Sequence, residues 1–146
     1  MGLIVVDASV FNKLFLDELD RPEAVSFFRH VLTHNLDFGA PEILKLEACQ
    51  SALHYNHPFN TPLKLLDKYV QGGFQWVDLT NDHWNIAEEI SRHGHKKSGY
   101  PTLIDSLYHA VSIVENGVFI TADKRHVSKT QSFGHTVLLS SWKTYF

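Results

Sequence analysis

Two acidic side chains directly follow short apolar runs near opposite ends of the chain. Asp7 follows LIVV at residues 3–6, and Asp123 follows VFITA at residues 118–122. Apolar, β-branched runs of this length predict buried strands. An aspartate at the end of such a strand either caps the next turn or helix, or serves the chemistry of a site.

Asp105 and Glu47 are the other two acidic candidates. Asp105 lies early in a helix predicted over residues 101–115. On a helical wheel Glu47 falls between Ile43 and Leu44, within the apolar arc of its own predicted helix. A glutamate on an inward face is costly unless it is paired or bound to a metal ion. Each residue alone has an ordinary alternative, namely helix-dipole stabilisation for Asp105 and a partly exposed side chain for Glu47.

Four converging carboxylates need a cation or a proton among them. Two such charges 4 Å apart repel by about 4 kcal/mol at an effective dielectric constant of about 20. An anionic, all-oxygen set of ligands suits Mg²⁺ or Mn²⁺. One or two of these ions can generate hydroxide from water and bind the oxygens of a phosphodiester. The acidic residues therefore favour phosphoryl chemistry over acyl or hydride transfer.

The elements that position these residues alternate along the chain. Predicted strands cover residues 3–6, 36–39, 74–79, 118–120 and 136–139, and predicted helices cover residues 9–16, 22–33, 41–55, 62–70, 80–93 and 101–115. Strands separated by helices predict a three-layer α/β/α sandwich with a central parallel sheet of four to five strands. Because ligands bind at the carboxyl ends of parallel strands, Asp7 and Asp123 are expected at one edge, beside the start of the Asp105 helix.

Length and composition set further limits. The 146 residues fit a single domain, 1–146, with a hydrophobic core. A net charge of −3 excludes nucleic-acid binding by bulk charge and leaves local basic patches. The single cysteine excludes an internal disulfide and a cysteine-based zinc site. With no apolar run of about 20 residues and no secretory pattern, we expect a cytoplasmic protein without a membrane span.

Three stretches resemble the PIN domain family, and within it the VapC-type toxins of toxin–antitoxin pairs. They are IVVDASV, PEILKLEA and PTLIDSLYHAVSIVENGVFITADKRH. The resemblance implies a Mg²⁺- or Mn²⁺-dependent ribonuclease that is usually a homodimer and is often held inactive by an antitoxin. It implies that the catalytic and metal-binding acidic residues are Asp7, Glu47, Asp105 and Asp123. It also implies that the hydroxyl groups of Ser9 and Thr121 support the metal site. The chain departs from the family in the helix start PEILKLE and in Ile104, which replaces a tyrosine.

Basic residues flank the predicted acidic edge. Lys124 and Arg125 directly follow Asp123, and both are expected either to bind RNA phosphates or to be simply solvated. Lys96 and Lys97 precede the Asp105 helix and fit a solvated loop better. Two histidine pairs have zinc-like spacing without a convincing third ligand, at His30/His34 and His93/His95.

Two functions of other classes stay open. A receiver-like phosphoacceptor domain would need an acidic pair after the first strand, where Ala8 and Ser9 stand, and an acceptor that only Asp78 could supply. A catalytically inactive PIN-like scaffold that binds RNA or protein has the same residues, and only an activity assay separates it from a nuclease. Apolar residues on two helices suggest a homodimer or an antitoxin groove, at Phe27, Phe28, Val31, Leu63, Leu65, Leu66 and Tyr69.

Overall fold

Five parallel strands form the central sheet. The computed structural model describes residues 2–146. The strands are β1 (Ile4–Val6), β2 (Phe38–Pro41), β3 (Gln75–Val77), β4 (Val118–Thr121) and β5 (Thr136–Leu138). Their order across the sheet is β3-β2-β1-β4-β5, and every pairing is parallel. The predicted α/β architecture is confirmed, with the larger of the two predicted strand numbers.

Helices flank this sheet. They are α1 (Ala8–Phe11), α2 (Arg21–Thr33), α3 (Ile43–His54), α4 (Asn60–Gln71), α5 (Asn81–Arg92), α6 (Leu103–Val114), α7 (Lys124–Lys129) and α8 (Trp142–Tyr145). None of the helices within residues 2–146 has the length and apolar character needed to cross a membrane.

The central strand β1 is covered on both faces. Ile4, Val5 and Val6 are all fully buried. Because successive side chains of a strand point to opposite faces, burial of all three requires packing on each side of the sheet. Such a strand reads as a continuous apolar run, which is why the sequence locates it well.

The start of β4 sets the register beside β1. The Val118 backbone N–H donates to the Leu3 carbonyl oxygen at 3.1 Å. A Cβ on Gly117 would collide with that same carbonyl group, so only glycine permits this approach. The resulting register pairs Val6 with Ile120. It therefore brings the residues that follow both strands to the same edge of the sheet.

Two prolines do not begin helices as their positions predict. Pro41 is the last residue of β2, where it pairs with Val77, and α3 begins at Ile43. Pro101 precedes the capping residue Thr102 and lies outside α6. Strand β2 accordingly covers residues 38–41 instead of 36–39. The end of a strand tolerates proline because the ladder no longer needs its missing N–H.

The apolar residues proposed to form a partner surface are mostly used inside the molecule. Phe27, Phe28, Val31 and Leu66 belong to the buried core, against which partly buried Tyr69 packs. The prediction that these side chains form surplus apolar surface is therefore wrong. The homodimer itself stays a prediction.

Candidate active site

Asp7 is buried at the carboxyl end of β1 and receives three hydrogen bonds. Its Oδ1 accepts from the Val10 backbone N–H at 3.1 Å and from the Ser9 hydroxyl at 2.6 Å. Its Oδ2 accepts from the Thr121 hydroxyl at 2.6 Å. Asp7 thus caps α1 and is also tied to the neighbouring strand β4. Its side chain is oriented from two sides.

Ser9 and Thr121 join the loops that follow β1 and β4. The Ser9 Oγ accepts from the Ala122 N–H, and the Thr121 Oγ1 accepts from the Asp123 N–H, each at 3.0 Å. Each hydroxyl has a single proton, which it donates to Asp7, so the 3.3 Å contact between the two hydroxyl oxygens adds no further hydrogen bond. These two residues lie where a supporting role for Asp7 requires them.

Asp123 follows β4 and caps the next helix. Its Oδ1 accepts from the backbone N–H groups of Arg125 and His126, at 3.0 and 3.1 Å. This cap explains why α7 forms at all, since its six residues carry no helical apolar period. The capping role and a metal-binding role are compatible, because a carboxylate has about four lone-pair sites.

Asp105 and Glu47 reach the site from two helices. Asp105 lies in the first turn of α6, and its backbone N–H is capped by the Thr102 hydroxyl at 3.2 Å. Glu47 lies in α3, and its Oε1 accepts from the Tyr108 hydroxyl at 2.6 Å. Both carboxylates are half-buried.

Three of the four carboxyl groups, those of Asp7, Asp105 and Glu47, have raised pKa values. Burial raises the pKa of Asp7 to about 7; hydrogen bonds from Ser9 and Thr121 counteract this, while the charge of Asp105 adds to it. Burial also raises the pKa of Asp105; the charges of Asp123 and Glu47 add to the rise. Burial raises the pKa of Glu47 as well, against the effect of its hydrogen bond from Tyr108. Asp105 is thus the common neighbour, since its charge interacts with those of Asp7, Asp123 and Glu47.

The charge of Asp123 adds to the raised pKa of Asp105, so these two carboxyl groups lie close enough to repel each other. A cation bound between them would relieve that repulsion.

The four residues fit a hard divalent cation by their chemistry. All their ligand atoms would be carboxylate oxygens, which Mg²⁺ and Mn²⁺ prefer. Within residues 2–146, no three or more His, Cys, Asp or Glu side chains are already drawn together in a metal-holding arrangement. An ion held there would therefore bind one or two of these carboxylates directly and the others through the several waters that Mg²⁺ usually keeps.

Exposed basic side chains flank Asp105 and Asp123 along the chain. Lys124 and Arg125 are exposed in the first turn of α7, and neither forms an ion pair with any residue of the described part of the chain. Lys96 and Lys97 are exposed in the loop before α6, beside Tyr100, which is also exposed. The two residues after Asp123 are therefore free to contact an anionic ligand.

Two pairs of histidines are in contact in the structure. His109 and His126 are buried and contact each other, with Nδ1 of His109 3.0 Å from Nε2 of His126. The rings of His30 and His34 stack with centroids 4.1 Å apart. Neither pair belongs to a metal-holding group among residues 2–146.

Sequence reasoning missed Tyr108 as part of the site. Tyr108 is three residues after Asp105 on α6, a spacing that places two side chains on one face of a helix. Burial raises the pKa of Tyr108, as do Glu47 and the other nearby carboxylates, so its hydroxyl remains a hydrogen-bond donor. The helical spacing from Asp105 was the one signal that could have indicated it.

Comparisons with known proteins agree with this geometry. The family model described as PIN domain matches residues 4–131. No protein of curated function matches the chain. Among solved structures, the crystal structure of PAE2754 from Pyrobaculum aerophilum is similar, with a TM-score of 0.63 and 14% sequence identity. The similarity covers 99% of this chain and 88% of that chain, and at this identity it concerns the fold.

Proposed function

The chain belongs to the PIN domain family, and on that basis we propose that it is a Mg²⁺- or Mn²⁺-dependent endoribonuclease. PIN domains are generally nucleases that use divalent metal ions. The observation that supports the proposal is that the charge of Asp105 interacts with those of Asp7, Glu47 and Asp123, beside the edge where β1 and β4 end. RNA as the substrate follows from the resemblance to the toxin subclass.

The four acidic residues would hold the ion, which when bound would polarise a phosphodiester and lower the pKa of a water molecule. The side chains of this chain have separable tasks around it. Ser9 and Thr121 orient Asp7 through its two oxygens. Burial raises the pKa values of Asp7 and Asp105, so both would have to lose any proton they carry in order to bind the cation. Because ligands are deprotonated on binding, metal affinity should rise with pH.

Lys124 and Arg125 are proposed to bind the substrate. Both are exposed, have no ion-pair partner among residues 2–146, and directly follow the acidic Asp123. Their charges would offset the repulsion between an RNA phosphate and an acidic site. Such contacts position a substrate without reading its sequence.

The receiver-like alternative does not fit the sheet order. Its acceptor would have to be Asp78, which follows β3. Strand β3 lies at the edge of the sheet, whereas β1 occupies the centre. Asp78 is exposed. The structure therefore separates the only available acceptor from the central strand that such a domain requires.

A toxin role, an antitoxin partner and a homodimer are proposed from the resemblance alone. Light scattering at tens of micromolar, a concentration chosen from the affinity scale, tests the dimer. Co-expression with a short open reading frame adjacent to the gene, followed by affinity purification, tests the antitoxin. A monomer that copurifies with no peptide and does not slow cell growth would contradict all three.

A metal-dependent cleavage assay tests the nuclease proposal. Purified protein stripped of metal is incubated with single-stranded RNA, and with DNA of the same sequence, in Mn²⁺, Mg²⁺ or chelator. We expect RNA cleavage that follows the metal titration, stops with chelator and is lost in Asp7→Asn. Asp78→Asn is the matched control, since it removes the same charge from another strand end. Metal-independent cleavage, or none from the wild type, would favour a contaminant or the scaffold alternative.

A further inference from the structure

The hydroxyl of Tyr108 lies at the base of the acidic cluster. It donates a 2.6 Å hydrogen bond to Oε1 of Glu47, and the charges of Glu47, Asp7 and Asp105 all act on it. Tyr108 and Glu47 are 61 positions apart, so the bond joins α6 to α3. Within residues 2–146, Tyr108 is the one hydrogen-bond donor to the Glu47 side chain.

The ring of Tyr108 is held as firmly as its hydroxyl. It is fully buried and stacks on Phe119 of β4, with ring centroids 5.8 Å apart and planes inclined by 9°. A tyrosine locked in this way has little freedom to move its hydroxyl group. The oxygen is therefore a fixed point on which the flexible Glu47 side chain can be anchored.

The geometry points to Tyr108 as a positioning residue that holds Glu47 through Oε1 and leaves Oε2 available to a divalent cation. This inference rests on the proposed metal-dependent function. Phenylalanine would fill the same apolar space, so packing alone does not require the hydroxyl. The hydroxyl instead donates a hydrogen bond to the half-buried Glu47 carboxylate, whose loss of hydration would otherwise be poorly offset. Groups that orient metal ligands typically contribute 10- to 100-fold to metal affinity or activity.

The test compares Tyr108→Phe with the wild type in Mn²⁺ binding and in RNA cleavage. Binding is measured by calorimetry and by the Mn²⁺-induced rise in melting temperature of metal-stripped protein. We expect an affinity about 10- to 100-fold weaker in Tyr108→Phe, with a similar loss of cleavage at limiting Mn²⁺. Tyr69→Phe is the matched control, because it removes the hydroxyl of another tyrosine that packs against the core, on α4 outside the acidic cluster.

A double-mutant cycle shows whether Tyr108 acts through Glu47. In a Glu47→Ala background, which has no side-chain oxygen to accept from the hydroxyl, Tyr108→Phe should weaken Mn²⁺ binding no further. A second variant, Glu47→Asp, keeps the charge and the tyrosine but withdraws the carboxylate from the hydroxyl by one methylene. It should bind Mn²⁺ more weakly than the wild type, and it provides a measurement even if Tyr108→Phe folds poorly.

The outcomes separate this inference from the function on which it rests. If the wild type binds Mn²⁺ and cleaves RNA while Tyr108→Phe and Glu47→Asp do so equally well, the role of Tyr108 is overturned and the nuclease stands. The role is also overturned if Tyr108→Phe weakens binding as much in the Glu47→Ala background, or if it lowers only the melting temperature of the apo protein. If the wild type neither binds nor cleaves, both proposals are overturned together.

Discussion

The Thr121 hydroxyl donates a 2.6 Å hydrogen bond to Oδ2 of Asp7 across the pairing of β1 with β4. The same hydroxyl oxygen accepts from the Asp123 backbone N–H at 3.0 Å. One buried hydroxyl thus connects the two aspartates that end the two strands. The geometry of the acidic edge is consequently a property of the strand register and of this hydroxyl together.

Replacing Thr121 by valine should damage both stability and activity. Valine keeps the shape but leaves the Asp123 N–H without its acceptor, so we expect a loss of about 1–3 kcal/mol in the free energy of unfolding. Freed from one donor, Asp7 should also bind metal about 10- to 100-fold more weakly. Urea denaturation and Mn²⁺ titration measure the two effects. Thr121→Ser restores the hydroxyl and should recover most of each, and a valine variant with unchanged metal affinity would contradict the role of Thr121.

Replacing Asp7 by asparagine should remove activity without harming the apo fold. Asparagine can still accept from the Val10 N–H, and it removes a buried charge that the metal-free protein tolerates poorly. Above neutral pH we expect equal stability or a gain of up to about 1–2 kcal/mol. Mn²⁺ should raise the melting temperature of the wild type by binding only the folded state, and this rise should largely vanish in the variant.

Thermal unfolding with and without Mn²⁺ measures the stability of the apo protein and the metal-induced rise in its melting temperature. Asp78→Asn is the control, because it removes an equal charge. If Asp7→Asn lowers apo stability by about 1 kcal/mol or more and Mn²⁺ shifts neither protein, Asp7 is a structural cap and the nuclease proposal fails.

The sequence locates Asp7 and Asp123 because two independent signals coincide there. Each follows a short apolar run, and alternation of strands and helices places both runs in one parallel sheet. Strand β2 is predicted two residues too early because Pro41 also fits the start of a helix. Proline is equally compatible with the last position of a strand and with the first turn of a helix, and local sequence does not distinguish them.

Tyr108 and α7 could not be predicted in the same way. A buried tyrosine on an apolar helix face has the same pattern whether its hydroxyl meets a backbone group or a carboxylate 61 positions away. Helix α7 has mostly polar residues and exists because Asp123 caps it and His126 is buried beneath it. Both depend on tertiary contacts between residues that are distant along the chain.

Neutralising Lys124 and Arg125 should weaken RNA binding and leave metal binding intact. In the double glutamine variant we expect KM to rise several-fold with little change in kcat, because these two side chains would position the substrate. The slope of log affinity against log salt should fall by about 0.7 for each phosphate of single-stranded RNA that the variant no longer binds. Fluorescence anisotropy at several salt concentrations measures this.

Lys64→Gln/Lys68→Gln is the matched control. It removes the same charge from exposed positions on α4. An equal loss of RNA affinity in both double variants would indicate that only net charge matters. An unchanged salt slope in the Lys124 and Arg125 variant would exclude those two residues from binding the substrate.

Because His109 and His126 are buried in contact with each other, we expect their protonation to destabilise the fold at acid pH. His109 Nε2 lies 2.7 Å from the Gly134 carbonyl oxygen, to which it can only donate, so its Nδ1 accepts from His126 Nε2. Burial and the neighbouring His109 lower the pKa of His126 to about 4, from an ordinary value of 6.5. Between these two pH values the unfolded chain binds more protons than the folded one, so the free energy of unfolding must fall as the pH falls.

Asp7, Glu47 and Asp105 have the opposite sign and have to be replaced to reveal this effect. Burial raises the pKa of Asp7 from 3.8 to about 7 and that of Asp105 from 3.8 to about 6, and it also raises the pKa of Glu47, so the contribution of these groups to stability increases as the pH falls through that range. In Asp7→Asn/Glu47→Gln/Asp105→Asn with chelator, we therefore expect a loss on the order of 1–3 kcal/mol between pH 7 and pH 4, since each unit of pKa difference corresponds to about 1.4 kcal/mol. Urea denaturation at a series of pH values measures the loss, and ¹⁵N spectra should show His126 still neutral at pH 5. A free energy of unfolding that stays level or rises on acidification, or a charged His126 at pH 5, would contradict the burial of this pair as the cause.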